Sequence, residues 1–187
     1  MPKYLSGNAL KILAAIFMTI DHMGVILFPR VLILRIIGRL ALPIYAFMIE
    51  EGCKYTRNKQ KYFGMVFGLG AVCQIVYYLF DGSLYFSILI TFSLSILMIY
   101  AMQYWKQKKT ALSGLVFISS VIATYLLNQR FTIDYGFWGC MLPVFAALPH
   151  GTDRDRLSVN TTMLGIGLIF LGLSTDAIQC LALLALP

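Results

Sequence analysis

The chain has 187 residues, 59% of them hydrophobic and only 12% charged. Soluble domains carry about 25% charged residues, so half that share excludes a water-soluble globular domain. The 13 Phe, 11 Tyr and four scattered Cys exclude disorder, a collagen-like repeat and a disulfide framework.

A membrane-crossing helix takes about 20 apolar residues, and seven of them take about 140 positions. That leaves only short connections, so the fold expected is an all-α, polytopic membrane bundle of about seven transmembrane helices, one domain over 1–187. The first span is expected over 8–28, with Ser6 or Asn8 as its N-cap and Pro29 as its stop. No small-residue cleavage site follows Lys3 and Lys11, so this run reads as a retained helix and not as a signal peptide. The second span covers 31–53 and the third 61–80, closed by a tight turn at Asp81-Gly82. The fourth runs over 84–105, the fifth over 111–127 and the sixth over 134–148. The last apolar segment, 162–187, is interrupted at Ser174-Thr175-Asp176 and reads as one broken helix or two short ones. Gly64, Gly68 and Gly70 in the third span, and Gly165, Gly167 and Gly172 in the last, read as positions of close helix packing. Cys53, Cys73, Cys140 and Cys180 have no CxxC spacing and read as buried thiols. With two histidines in the chain, no metal is expected.

Charge sets the direction of insertion. Lys3 and Lys11, with Lys54, Arg57, Lys59, Lys61, Lys106, Lys108, Lys109, Arg154 and Arg156, fall on one side; only Arg30 and Arg130 fall on the other. Lys and Arg collect in cytoplasmic loops, so the expectation is a cell-membrane protein with a cytoplasmic N-terminus. The same rule explains the formal net charge of +7 without nucleic acid as a partner. The basic inner loops, Arg57 and Lys59 among them, also suit the phosphates of a nucleotide-like cofactor. His150 and the polar stretch to Arg156 read as a solvated loop.

Ionisable residues inside a span are costly and usually functional. The first span carries Asp21-His22, and the second carries Arg35 and Arg39, with Glu50-Glu51 at its inner end. At about 1.5 Å per helical residue, His22 lies about 9 Å and Arg39 about 12 Å below the outer ends of their spans. Gln74 and Thr91 fall at nearly that depth, and Asp134 and Tyr135 open the sixth span from the same side. Polar groups from five helices thus converge on one layer in the outer half of the membrane. Adjacent residues on a helix do not face each other, so Asp21 is expected to pair with Arg39 or Arg35 and to leave His22 free for proton transfer. Arg35 and Arg39, four apart, repel unless Asp21 or a bound anion lies between them. The same layer would also serve a small proton-coupled transporter. A bare Asp–Arg pair would serve only packing, with His22 as a bystander, and a non-catalytic assembly subunit is the third functional reading.

The motifs Leu5-Ser6-Gly7-Asn8-Ala9-Leu10-Lys11, Ile20-Asp21-His22-Met23-Gly24 and Leu27-Phe28-Pro29 resemble the TraX family. So do the run from Leu34-Arg35 through Gly38-Arg39-Leu40-Ala41-Leu42-Pro43 to Phe47, Glu51-Gly52, and Tyr55-Thr56-Arg57-Asn58-Lys59. Asp134-Tyr135-Gly136 followed by Gly139 is similar to the family's later signature. The resemblance implies an integral membrane acyltransferase, since the family's named member is associated with N-terminal acetylation of a conjugative pilin. It implies acetyl-CoA as co-substrate, and the amine or hydroxyl of a peptide, pilin or glycan as acceptor at the extracytoplasmic side. The lipid bilayer is the remaining partner. Carried over onto this chain, His22 is the catalytic base, Asp21 sets its protonation, and Arg39 holds developing negative charge. Asp134 and Tyr135 match the later motif; by their place in the polar layer Arg35, Asp134, Tyr135 and Gln74 are expected to contact substrate, and the basic inner residues Arg57 and Lys59 the cofactor. Two departures accompany the likeness. Val72-Cys73-Gln74-Ile75-Val76-Tyr77 stands where the family usually has Ser-Glu-Ile-Pro-Phe-Asp. The family usually continues past Leu-Ala-Leu-Pro into a polar turn and a further helix, which implies a shortened member.

Overall fold

A bilayer core offers no water to bond backbone polar groups, so apolar runs of this length satisfy them internally as helices. The computed structural model describes residues 7–82, 85–148 and 153–174, the backbone alone at 81, 153–158, 160 and 174. Its helices are α1 (Gly7–Ile26), α2 (Leu32–Gly38), α3 (Ala41–Tyr55), α4 (Lys59–Asp81), α5 (Ile88–Lys108), α6 (Ala111–Arg130), α7 (Gly136–Ala147) and α8 (Asp153–Ser174). Taken together, α2 and α3 form one apolar span, Leu32–Tyr55; with α1, α4, α5 and α6 this makes 5 spans long enough to cross a bilayer. Gly136–Ala147 and Thr161–Leu173 are shorter apolar helices. The protein is an all-α, multi-pass membrane bundle.

The second span departs from the single helix expected over 31–53: it breaks at Arg39-Leu40. Pro43 is the cause. It has no N–H for the carbonyl four residues back, and its ring crowds that carbonyl, which belongs to Arg39. The turn tightens instead, with Leu40 N–H donating to Ile37 O at 3.1 Å and Leu42 N–H to Arg39 O at 3.4 Å. Arg39 therefore stands at the break. The fourth span also starts later than expected, at Ile88. Residues before it are extended: Phe86 N–H donates to Thr132 O and Asp134 N–H to Phe86 O, both at 2.9 Å, in an isolated parallel bridge between Phe86 and Ile133. At the other end of the chain α8 begins at Asp153, inside the stretch expected as loop, while the predicted break after Ser174 and Cys180 lie outside the described residues.

α3, α5 and α7 pack on one another and form the interior, with α8 against α7. Leu42 and Ala46 of α3, Ile96 and Ile99 of α5, Leu142 of α7 and Leu168 of α8 belong to its buried core. Ser95 Oγ bonds Cys140 O at 2.7 Å and ties α5 to α7. α1, α4 and α6 bury few residues and form the perimeter. This corrects the packing expected of Gly64 and Gly68: nothing lies within 4 Å of a Cβ built there, whereas Gly70 meets Leu89 and Ile90 of α5. Gly167 packs against Leu142 and Phe145 as expected. Gly82, with φ 64°, ends α4 by donating to Tyr78 O at 3.0 Å. Cys53 and Cys140 are buried free thiols, and Cys73 is half-buried.

Candidate functional site

α1 and α2 form a tight hairpin, turned by Val31 N–H donating to Phe28 O at 2.9 Å. The approach is closest at Gly38, where any Cβ would overlap Asp21 and lie 2.6 Å from its backbone Cα. Only glycine allows that contact. It sets the Asp21 carboxylate against α2, where Oδ1 pairs with Arg35 Nε at 3.5 Å. Of the two partners expected for Asp21, the ion pair forms with Arg35, one helical turn before the break.

Arg39, at the break itself, turns to the α6–α7 connection, and its guanidinium carbon lies 5.6 Å from the Tyr135 ring centroid. Tyr135 has φ 59° and Gly136 φ 60°. A side-chain-bearing residue takes that conformation only where its surroundings enforce it. Here Gly139, without a Cβ, accommodates the Tyr135 Cβ, and Gly139 N–H donates to Tyr135 O at 3.0 Å. Asp134 is fixed from α5 and the segment before it: Thr91 Oγ1 of α5 donates to its carbonyl at 2.9 Å, and the Tyr85 hydroxyl of the α4–α5 connection donates to its Oδ1 at 2.8 Å. Burial raises the Asp134 carboxyl above its ordinary range, and the Tyr85 hydrogen bond and the Arg39 charge oppose that rise. Burial also pushes the Tyr135 phenol up to about 12, so it stays neutral.

His22 faces another way. Its ring is exposed on α1, and Nδ1 lies 2.8 Å from Met18 O. A carbonyl only accepts, so Nδ1 carries the proton and Nε2 of the neutral ring keeps its lone pair. Asp21 and His22 thus occupy different faces of α1, the first turned to Arg35 and the second outward. Both amide atoms of Gln74 are buried on α4 and make no hydrogen bond among the described residues. The structure thus brings Asp21 to Arg35 and Arg39 to Tyr135 and Asp134, and neither His22 nor Gln74 makes a hydrogen bond to them among the described residues.

The predicted cofactor residues lie at the opposite end. Arg57 is exposed between α3 and α4. Lys59 Nζ donates to Gln103 Oε1 at 2.7 Å and lies 5.1 Å from the Tyr100 ring centroid, so it already ties α4 to α5. Lys106 Nζ donates to Ala147 O and Leu148 O, both at 3.1 Å, and caps the end of α7. Glu50, half of the Glu50-Glu51 pair, is only 3% exposed and lies within electrostatic reach of Lys106. Among the described residues no group of three or more His, Cys, Asp or Glu could hold a metal ion. Sequence reasoning missed Tyr85, which it placed inside the fourth span; its nearness to the Asp81-Gly82 turn was the available signal.

Comparison with known proteins gives a family match to TraX protein over residues 6–187. A Dichelobacter nodosus protein named "Probable fimbrial assembly protein FimC, serogroup H1" is 37% identical over 76 residues, covering 38% of this chain and 31% of that protein. An uncharacterised protein of Rickettsia prowazekii (strain Madrid E) is 34% identical over 132 residues, covering 69% of this chain and 50% of that protein. The chain thus spans half or less of the length of these curated relatives. No solved structure matches.

Proposed function

The chain belongs to the TraX family, and on that premise we propose that it is a membrane-embedded acyltransferase. It moves an acetyl group from acetyl-CoA to the amine or hydroxyl of a peptide, pilin or glycan acceptor at the extracytoplasmic side of the cell membrane. The reading is carried by one observation: within a bundle of apolar spans Asp21 pairs with Arg35, and Arg39 meets Tyr135 beside Asp134, and ionisable groups held among such spans are costly and usually functional. The name of the Dichelobacter relative favours a pilin among the acceptors.

On this reading His22 Nε2 takes the proton of the acceptor N–H or O–H as the nucleophile attacks the thioester carbonyl. The C–S bond breaks, and the thiolate leaves as the thiol with the proton that His22 gives up. Arg39 faces the oxyanion formed in between. Asp21 acts through Arg35, holding α1 to α2, rather than through the imidazole. The exposed ring has the acceptor approach from the perimeter of α1. The end of the bundle that carries Lys54, Arg57, Lys59, Lys106 and Lys108 faces the cytoplasm by the positive-inside rule, where Arg57 meets the phosphates of acetyl-CoA.

The test is transfer of radiolabel from acetyl-CoA by the purified protein and by His22→Ala. Transfer by wild type and its loss in a variant that inserts and melts normally is the expected result. Near-normal transfer by the variant means that His22 is not the base.

A further inference from the structure

Tyr85 lies outside every motif above, yet it makes the hydroxyl contact that fixes the Asp134 side chain, at 2.8 Å from Oδ1. The rest of Asp134 is held by its backbone, through Phe86 O and Thr91 Oγ1. Held in this way, Asp134 leads directly into the left-handed Tyr135, and the Tyr135 ring carries the Arg39 guanidinium. From this chain of contacts we infer that Tyr85 is a positioning residue of the outer polar site, setting through Asp134 and Tyr135 where the Arg39 guanidinium stands. Its catalytic consequence rests on the acyl-transfer reading; the contact itself does not.

The charged and titratable groups acting on Asp134 are Tyr85 from the α4–α5 connection, Arg39 from the α2–α3 break, Asp21 from α1, and its neighbour Tyr135. Tyr85 and Arg39 favour the carboxylate, and Asp21 opposes it. Burial, then Asp134 itself, holds the Tyr85 phenol above its ordinary value, so Tyr85 remains a donor throughout the working pH range. Asp134 countering Arg39 is the carboxylate, which forms as pH rises. Tyr85→Phe removes one bond that favours it, so the carboxylate forms at higher pH. The loss of one hydrogen bond to a charged group corresponds to a shift of about one pH unit.

The experiment uses the full chain in lipid nanodiscs and two readouts. The first is acetyl transfer against pH for wild type and Tyr85→Phe. The acid limb that Asp134 adds to that of the general base should move up by about one unit in Tyr85→Phe while the KM for acetyl-CoA stays unchanged, and Asp134→Asn should keep only the limb of the base. The second is the infrared band of the protonated Asp134 carboxyl, identified by its loss in Asp134→Asn. Its titration midpoint should move up in Tyr85→Phe. An unshifted limb and midpoint, with transfer intact, would overturn the inference and leave acyl transfer standing. A wild type that transfers no label sinks acyl transfer instead. The infrared midpoint then decides alone: an upward shift sustains the coupling of Tyr85 to Asp134, and an unchanged one overturns it. Should Tyr85→Phe fail to fold, 3-fluorotyrosine at position 85, a stronger donor of nearly the same size, should move the Asp134 midpoint down, and an unchanged midpoint would overturn the inference.

Discussion

Replacing Gly38 by alanine adds one methyl group where the structure has none to spare. That Cβ would overlap the Asp21 Cβ and lie 2.6 Å from the Asp21 Cα. The obstacle is backbone, so no side-chain rotation relieves it, and α1 must move away from α2. Overpacking of this kind costs about 1–3 kcal/mol. Alanine recovers at most about 1 kcal/mol of helix propensity over glycine, so the net loss is up to about 2 kcal/mol. For a chain of this size each kcal/mol moves Tm by about 2–4 °C, which puts Gly38→Ala up to about 8 °C below wild type. Gly64→Ala is the control, since nothing lies within 4 Å of its Cβ. There only the propensity gain remains, and Tm should rise by about 1–4 °C. Thermal unfolding in detergent, followed by loss of helical circular dichroism, measures both. Shifts of the same sign in the two variants would refute the hairpin packing that sets Asp21 against Arg35.

Three further predictions concern the site and its setting. Asp21→Asn and Arg35→Gln should each lower Tm by stranding a charge, and the double variant should recover part of the loss; a fully additive cycle would mean that the 3.5 Å pair contributes nothing. Arg39→Lys keeps the charge but loses the planar group over Tyr135, so label transfer should fall, though less than in Arg39→Ala; equal transfer by Arg39→Lys and wild type would remove the guanidinium from the chemistry. A reporter fused after Lys108 should read cytoplasmic and one after Gln129 external, and the reverse pattern would invert the placement of the acceptor side.

The long spans were legible because a bilayer permits few alternatives to a run of some 20 apolar residues. Their ends were less so. The break at Arg39 was readable from Pro43, four residues on, whose missing N–H and ring disrupt the turn before it. The late start of α5 depends on the bridge from Phe86 to Ile133, a contact between residues far apart in sequence that no local pattern announces. The same holds at the site. Helical spacing correctly separated the faces of Asp21 and His22, but Arg35 prevailed over Arg39 as partner because Gly38 fixes where α1 crosses α2. Depth alone placed Gln74 in the layer, and depth carries no information about direction around a helix. Tyr85 reached Asp134 through the extended segment that replaced the first turn of the expected helix.

Acyl transfer itself is tested most directly by supplying radiolabelled acetyl-CoA to the purified protein in liposomes and following the label. Label appearing covalently on protein or on an added acceptor, and absent with His22→Ala, is the predicted result. Flux of substrate across the liposome membrane with no covalent label would contradict it and make the polar layer a transport site.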